Sequence, residues 1–160
     1  MSSKSLDSGF PPPTVGALLR LAWLRFRERI YQRVQEAGYT DLLPMHVMLF
    51  RYPTIEGLRP TQLAEQAGLS KQAMNDLLRQ LESMGYLERR RDPADGRARL
   101  ITLTGRGQRL MDLLYRVSSE IAEEWEQQVG KARLDALRAT LVEIVDSERQ
   151  NRDQPTSRTR

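Results

Sequence analysis

The chain has 160 residues, of which 39% are apolar, and it carries a formal net charge of +4. This length and apolar content suit one modest hydrophobic core, which favours a single domain at residues 14–149. The absence of cysteine and the presence of only one histidine exclude disulfides, thiolate chemistry and a tight transition-metal site. No apolar run reaches the roughly 18 residues that a membrane span needs, so the sequence predicts a cytoplasmic protein without membrane contact.

Charge and polarity vary along the chain. The polar ends predict disordered tails at residues 1–13 and 150–160. Residues 60–110 hold 9 basic and 6 acidic side chains, whereas residues 111–150 hold 5 basic and 9 acidic ones. A basic centre followed by an acidic segment indicates one surface that binds a polyanion and another that faces elsewhere.

The first predicted element is a long amphipathic helix at residues 14–37, ended by Gly38. Its apolar stripe recurs at steps of three or four residues and consists of Val15, Leu19, Ala22, Phe26, Ile30 and Val34. Other apolar side chains lie outside this stripe, among them Leu18, Leu21, Trp23, Leu24 and Tyr31. A helix that is apolar on more than one side needs a second partner surface, which predicts packing against another subunit. A shorter helix is predicted at residues 42–51, ended by Pro53.

Two short helices joined by a tight turn are predicted at the centre of the chain. Pro60 suits the first position of a helix, and Gly68 ends that helix. Ser70 can cap the next helix, whose apolar stripe is Met74, Leu77, Leu78 and Leu81. At 100° per residue, the side chains opposite this stripe are Gln72, Asn75, Asp76 and Arg79. The pattern predicts a helix-turn-helix whose second helix offers a polar face to a groove of DNA.

A basic β-hairpin is predicted next. Residues 86–91 and 97–104 are short β-prone runs separated by the sequence Asp-Pro-Ala-Asp-Gly. Pro93 fits the second position of a turn, and Gly96 accepts a positive φ. The hairpin carries five arginines that can lie along phosphates or enter a narrow minor groove: Arg89, Arg90, Arg91, Arg97 and Arg99.

Two long helices are predicted after the hairpin. Thr104 can cap the first helix, and Gly130 separates it from the second. Their exposed faces are acidic, with Glu120, Glu123, Glu124 and Glu126. Such faces suit a dimerisation layer held away from the phosphates of DNA. The predicted fold class is therefore mainly α with a small β-hairpin wing.

Residues 60–107 resemble the MarR family of multiple-antibiotic-resistance regulators. The resemblance is carried by Arg-Pro-Thr-Gln-Leu-Ala from residue 59, the run at 81–87, Asp-Pro-Ala-Asp-Gly-Arg-Ala from residue 92, and Leu-Thr at 103–104. It implies a winged helix-turn-helix lobe at about residues 42–104, with dimerisation helices at about 14–37 and 105–149. It also implies a homodimer that binds a pseudo-palindromic operator in double-stranded DNA. Such regulators are commonly repressors released by a small aromatic or anionic effector, and they need no cofactor.

The resemblance and the basic hairpin together predict the residues that contact DNA. These are Ser70, Lys71, Gln72, Asn75, Arg79, Arg91, Arg97 and Arg99. Gln72 can pair with adenine, while Lys71 suits guanine or phosphate. The resemblance makes Arg97 the wing-tip arginine of the minor groove and Asp95 the acid that shapes the wing.

Asp76 departs from the family pattern, in which many members have a basic or hydroxyl residue. An acid that faces DNA is repelled unless it accepts from cytosine N4 or pairs with Arg79, three positions on. We favour the pairing with Arg79.

Several residues keep two interpretations. Trp23, Arg27, Tyr31, His46 and Tyr115 form either an effector pocket or part of the packing at a dimer interface, and packing is favoured for the aromatic side chains. The lone histidine is favoured as a packed, hydrogen-bonded side chain. An enzyme is not expected, because this histidine has no identifiable catalytic partner and the acids lie mainly on exposed helical faces. The alternative function is a winged-helix module that binds a protein and has no specific affinity for DNA.

Overall fold

A computed structural model describes residues 12–50 and 55–153. The predicted fold class is confirmed, with the elements α1 (Val15–Glu36), α2 (Pro44–Val47), α3 (Pro60–Ala67), α4 (Lys71–Ser83), β1 (Leu87–Arg91), β2 (Arg99–Leu103), α5 (Gly105–Val129) and α6 (Lys131–Asp153). The chain forms two compact units, one up to Val117 and one from Ser118, and their boundary falls within α5.

Most residues of the two predicted tails are not among the described ones. Residues 1–11 and 154–160 of these tails lie outside the described residues. At the C-terminal end, α6 continues to Asp153 and therefore passes residue 149, where the sequence predicts the domain to end. At the N-terminal end, Thr14 caps α1 by accepting a hydrogen bond from the Ala17 N–H at 3.3 Å.

Helix α2 is shorter than the helix predicted at residues 42–51. Leu43 precedes a proline and is extended, at φ −92° and ψ 159°, so the helix begins only at Pro44. Beyond the helix, the N–H groups of Leu49 and Phe50 donate to carbonyls three residues earlier, which forms successive turns. Pro53, the predicted end of this helix, lies outside the described residues.

The predicted helix-turn-helix is confirmed as α3 and α4. Gly68 ends α3 in the left-handed conformation, at φ 65°, which a glycine adopts without steric cost. Ser70 Oγ accepts from the Ala73 N–H at 3.1 Å and so caps α4. The predicted stripe of α4 is buried in full: Met74, Leu77, Leu78 and Leu81.

The predicted hairpin is confirmed as β1 and β2, which pair antiparallel from Leu87 opposite Leu103 to Arg91 opposite Arg99. Its connection differs from the expectation, because Gly96 does not adopt a positive φ. Two aspartates shape the turn instead. Asp92 Oδ1 accepts from the Ala94 N–H at 2.8 Å, and Asp95 Oδ1 accepts from the N–H two residues on at 3.2 Å.

Helix α5 begins in close contact with the base of the hairpin. Thr104 Oγ1 accepts from the Gly107 N–H at 3.1 Å, as predicted for a cap, and its hydroxyl donates to the Gly85 carbonyl at 2.6 Å. A Cβ at position 107 would lie 1.9 Å from the Tyr86 carbonyl oxygen. The close approach of these two backbone segments therefore requires glycine.

Candidate nucleic-acid interface

The first turns of α4 present exposed polar side chains. Lys71 and Gln72 are exposed, and within the described residues neither side chain has a hydrogen bond or an ion pair. The hydroxyl of Ser70 accepts from the helix backbone, which leaves its own O–H free to donate outward. At 100° per residue, the centre of the face opposite the buried stripe is formed by Gln72, Asp76 and Arg79.

Asp76 and Arg79 form an ion pair on this outward face. Their side chains remain 45% and 69% exposed, so water screens the pair and its net contribution to stability is small. The favoured pairing of these two residues is therefore present. It lowers the repulsion that an unpaired carboxylate would exert on DNA.

Asn75 lies at the edge of α4 that faces the hairpin. Its Nδ2 donates to the Lys71 carbonyl oxygen at 3.0 Å, and its Oδ1 accepts from Arg89 Nη1 at 3.3 Å. The sequence places Asn75 and Gln72 together on one polar face, whereas the fold separates them. Gln72 is unrestrained, and Asn75 is held by two hydrogen bonds.

The five hairpin arginines divide into three groups. Arg89 is directed toward α4, with 25% of its side chain exposed, and its Nε lies 3.3 Å from Glu82 Oε2. Arg90 is exposed and forms an ion pair with Glu88 on the same strand, at 2.6 Å. The other three are exposed, and within residues 12–50 and 55–153 their side chains have no acidic partner: Arg91, Arg97 and Arg99.

Arg91 and Arg99 occupy directly opposed positions of the hairpin. Like charges at such positions repel each other across the two strands. Since no described acid compensates them, the outer end of the hairpin concentrates positive charge. Arg97, in the connection between the strands, adds to this positive surface.

The hairpin connection is clamped by Arg59, which is not among the predicted site residues. Arg59 Nη2 lies 2.5 Å from Asp92 Oδ2, and Arg59 Nη1 lies 3.5 Å from Asp95 Oδ2. The Ala94 N–H and the Arg59 guanidinium hold the pKa of Asp92 below its ordinary value. Asp95 thus contacts both the turn backbone and Arg59, as a residue that shapes the wing would.

A second cluster supports the base of the hairpin. The buried Tyr86 hydroxyl donates to Asp41 Oδ1 at 2.7 Å, and the Arg106 guanidinium lies 4.2 Å from the centre of the Tyr86 ring. Arg106 also donates to Asp41 Oδ2 at 2.9 Å. Burial, together with the bond to Asp41, raises the pKa of the Tyr86 phenol. This cluster ties the residue before β1 to the start of α5.

The candidate effector residues do not form one site. Arg27 and Tyr31 line a groove of about 300 Å³ whose other lining residues are Leu24, Glu28 and Pro44. The Tyr31 hydroxyl donates to the Leu42 carbonyl at 3.1 Å, and Arg27 Nη1 lies 3.7 Å from Met48 Sδ. Trp23 packs near Phe26, with ring centres 6.0 Å apart, and Tyr115 is 53% exposed on α5.

His46 is a packed side chain, as favoured from the sequence. It is 3% exposed, its Nδ1 accepts from the Leu43 N–H at 3.2 Å, and its Nε2 lies 2.7 Å from Gln80 Oε1. Since Nδ1 is an acceptor, the proton lies on Nε2, which donates to Gln80. His46 therefore links α2 to α4.

The described residues form neither a metal-binding group nor a membrane-spanning helix. No group of three or more acidic, histidine or cysteine side chains in this part of the chain is suited to hold a metal ion. None of its helices combines the length and the apolar character needed to cross a membrane.

Comparison with known proteins identifies relatives of this chain. The MarR family model matches residues 40–98, which include the helix-turn-helix, β1 and the connection that leads to β2. An HTH-type transcriptional repressor of Mycobacterium tuberculosis is 34% identical over 96 residues, which are 60% of this chain and 68% of that protein.

Solved structures share the fold. MarR of Escherichia coli, in its apo form, has a TM-score of 0.67 at 16% identity, and the match covers 84% of this chain and 98% of MarR. The repressor CouR, bound to a 23-mer DNA duplex, has a TM-score of 0.63 at 23% identity, and the match covers 82% of this chain and 92% of CouR.

The mycobacterial relative decides the family, because more than two thirds of its length is matched at 34% identity. The family model, which matches residues 40–98, independently supports the same family. The family consists of transcription regulators and not of enzymes, which confirms the prediction that the chain is not an enzyme. The chain therefore belongs to the MarR family of DNA-binding transcription regulators.

Proposed function

We propose that this regulator is a homodimeric repressor that binds a pseudo-palindromic operator in double-stranded DNA. The observation that carries the proposal is the opposed pair Arg91 and Arg99, which has no described acidic partner and belongs to the hairpin that follows α4. A hairpin that keeps two opposed cations gains stability from a polyanion that neutralises both. The phosphates of DNA are such a polyanion.

In the proposed complex, the start of α4 enters the major groove. Lys71 and Gln72 are the exposed side chains of its first turn, where short side chains reach base edges. Ser70 adds a hydroxyl donor for phosphate, and Asn75 lies one turn further on. Arg79 keeps its ion pair with Asp76 and therefore contributes less net charge than the hairpin arginines.

In the same complex, the hairpin follows the phosphate backbone. Arg91 and Arg99 lie on paired strand positions and so contact neighbouring phosphates. Arg97, in the connection, reaches into the minor groove. Asp95 and Arg59 hold this connection in its folded shape.

Exposed apolar side chains support the dimer. In α1, Val15, Leu18 and Leu21 are 70%, 50% and 48% exposed, and in α6, Leu137 and Val142 are 50% and 54% exposed. Soluble monomers rarely keep contiguous apolar patches of large size. A symmetric dimer that buries these helices presents two α4 helices to two half-sites of one operator.

The groove beside Arg27 and Tyr31 supports the proposal of a small aromatic or anionic effector. Its volume of about 300 Å³ lies at the lower end of the range of ligand pockets. The Arg27 guanidinium offers a cation to an anionic ligand, and Tyr31 offers an aromatic ring. The mycobacterial relative is named a repressor, which favours repression as the mode of regulation. We also propose that the regulator acts in the cytoplasm.

Binding to its own promoter fragment at several salt concentrations tests this function. We expect the double variant Arg91→Gln/Arg99→Gln to bind more weakly, with a salt slope reduced by about 1.8, or about 0.9 for each lost phosphate contact. Its free energy of unfolding should equal or exceed that of the wild type, because a cross-strand repulsion is removed.

The matched control is Arg116→Gln/Arg133→Gln, which removes two exposed arginines outside the helix-turn-helix and the hairpin. We expect this control to keep the salt slope of the wild type. If the wild-type protein binds its promoter fragment no better than unrelated DNA, the protein-interaction module becomes the better description.

A further inference from the structure

Arg89 lies on the inner face of the hairpin. It is paired with Ile101, which is 0% exposed, and it is two residues from Leu87, which is 1% exposed. Successive side chains of a strand point to opposite faces, so Arg89 shares the buried face with Leu87. Its neighbour Arg90 lies on the other face and is 67% exposed.

The Arg89 guanidinium joins β1 to α4 at two points. Nη1 donates to Asn75 Oδ1 at 3.3 Å, and Nε lies 3.3 Å from Glu82 Oε2. Asn75 and Glu82 are seven residues apart, or about two helical turns, so both lie on the edge of α4 that faces the strand.

Burial limits what else this guanidinium can bind. Arg89 Nε and Nη2 are buried, and within the described part of the chain they have no hydrogen bond. Glu82 supplies the compensating charge for this half-buried cation. To reach a phosphate, Arg89 would have to leave both Glu82 and Asn75.

The contact with Arg89 determines which way the Asn75 amide points. A guanidinium only donates hydrogen bonds, so the amide oxygen must face Arg89 and the amide nitrogen must face the Lys71 carbonyl, 3.0 Å away. Each end keeps one free position, a lone pair on Oδ1 and a hydrogen on Nδ2. One acceptor and one donor side by side complement N6 and N7 of adenine.

We infer that Arg89 is a positioning residue that sets the Asn75 amide to read an adenine in each operator half-site. The inference rests on the proposed binding of α4 in the major groove. Arg89 itself contacts no phosphate, so the reading of one base depends on a side chain of the hairpin that never touches the DNA.

The test compares binding of the wild type, Asn75→Ala, Arg89→Met and their double variant. Each protein is titrated with its operator and with a panel of single-base substitutions at two salt concentrations. Asn75 reads the operator position at which a base substitution weakens binding of the wild type but no longer weakens binding of Asn75→Ala. There we expect Arg89→Met to lose most of the discrimination, which is about 5- to 150-fold for one bidentate contact. At that position, the double variant should lose no more base discrimination than Asn75→Ala alone.

The salt slope separates this role from a phosphate contact. We expect Arg89→Met to keep the slope of the wild type, whereas loss of a phosphate contact would reduce it by about 0.9. Arg90→Met removes an exposed guanidinium from the same strand and should retain the base discrimination. Arg89→Lys serves if Arg89→Met does not fold, since lysine can reach a phosphate but lacks the fork that contacts two side chains.

A reduced salt slope with intact discrimination in Arg89→Met overturns the inference, as does full discrimination in Arg89→Lys. The inference is also overturned if Asn75→Ala loses affinity on every base substitution as the wild type does. In that case the proposed DNA-binding function still stands. Failure of the wild type to prefer its operator contradicts the proposed function itself.

Discussion

Gln72 is the side chain of α4 that is best placed to approach a base without restraint. It is exposed near the centre of the outward face, in the first turn of the helix, and no described side chain binds it. Asp76, one turn further on, is paired with Arg79. On this face, we therefore propose Gln72 as the side chain that reads a base, because Arg79 is tied to a neighbouring charge.

Truncation of Gln72 should separate DNA recognition from stability. We expect Gln72→Ala to change the free energy of unfolding by no more than about 0.5 kcal/mol, since the side chain is exposed and has no described hydrogen bond or ion pair. It should remove about 1–3 kcal/mol of discrimination at one position in each half-site. Titration with base-substituted operators measures this loss, and Gln66→Ala, at an exposed glutamine of α3, is the control. Equal loss of specific and non-specific binding would show that Gln72 contacts the backbone of DNA instead.

Gly107 is the residue at which one methyl group should be most harmful to the fold. Its Cβ would lie 1.9 Å from the Tyr86 carbonyl oxygen, a backbone atom that cannot rotate away. We expect Gly107→Ala to lower the free energy of unfolding by at least about 1–3 kcal/mol, the usual cost of overpacking. Gly105→Ala is the control, because its Cβ meets only the flexible end of Arg109, at 3.6 Å. Urea unfolding curves that coincide for the two variants would contradict this close approach.

At the scale of elements, the helices and strands follow from local sequence patterns, whereas their connections depend on residues far apart in the chain. The stripe from Met74 to Leu81 and the cap at Ser70 predict α4 correctly. The clamp between Arg59 and Asp92 joins residues 33 positions apart, and no local pattern indicates it. Strand alternation from Leu87 would have placed Arg89 on the inner face. The run of arginines at 89–91 predicts DNA contact for all three side chains only if the alternation of side chains along β1 is left out of account.

The hairpin connection should make stability depend on pH. The pKa of Asp92 lies below its ordinary value in the folded protein, so the stabilising effect of its charge is fully present above the unfolded pKa of about 3.9. That effect is lost as the pH falls through the lower, folded pKa. We expect the free energy of unfolding to decrease below about pH 4 more steeply in the wild type than in Asp92→Asn. Parallel pH profiles for the two proteins would show that Asp92 does not contribute.

At the scale of the whole molecule, α1 and α6 each expose large apolar side chains, which supports the proposed dimer. Helix α1 is apolar on several sides, and only Val34 is buried among its described residues. Leu18 and Leu21 leave about half of their surface exposed in the single chain, at 50% and 48%. We therefore assign the proposed dimer contacts to these helices and the proposed DNA contacts to α4 and the hairpin.

Substitution of two exposed leucines should separate the subunits. We expect Leu18→Glu/Leu21→Glu to be a monomer at micromolar concentration with helical content close to that of the wild type, because charges in an apolar interface are costly to bury. Light scattering coupled to size exclusion gives the mass. The wild type should have twice the mass of one chain, and a wild-type mass of one chain would contradict the dimer.

Hydroxyl-radical footprinting of the protein on its own promoter tests most directly whether two subunits place α4 and the hairpin on one operator. We expect two protected half-sites related by a two-fold axis, with centres about 34–36 Å apart, or one turn of the duplex. Arg91→Gln/Arg99→Gln should weaken protection at the phosphates of both half-sites equally. The account would be contradicted by a single protected site without a symmetric counterpart. It would also be contradicted if no site were protected even at a large excess of protein over DNA.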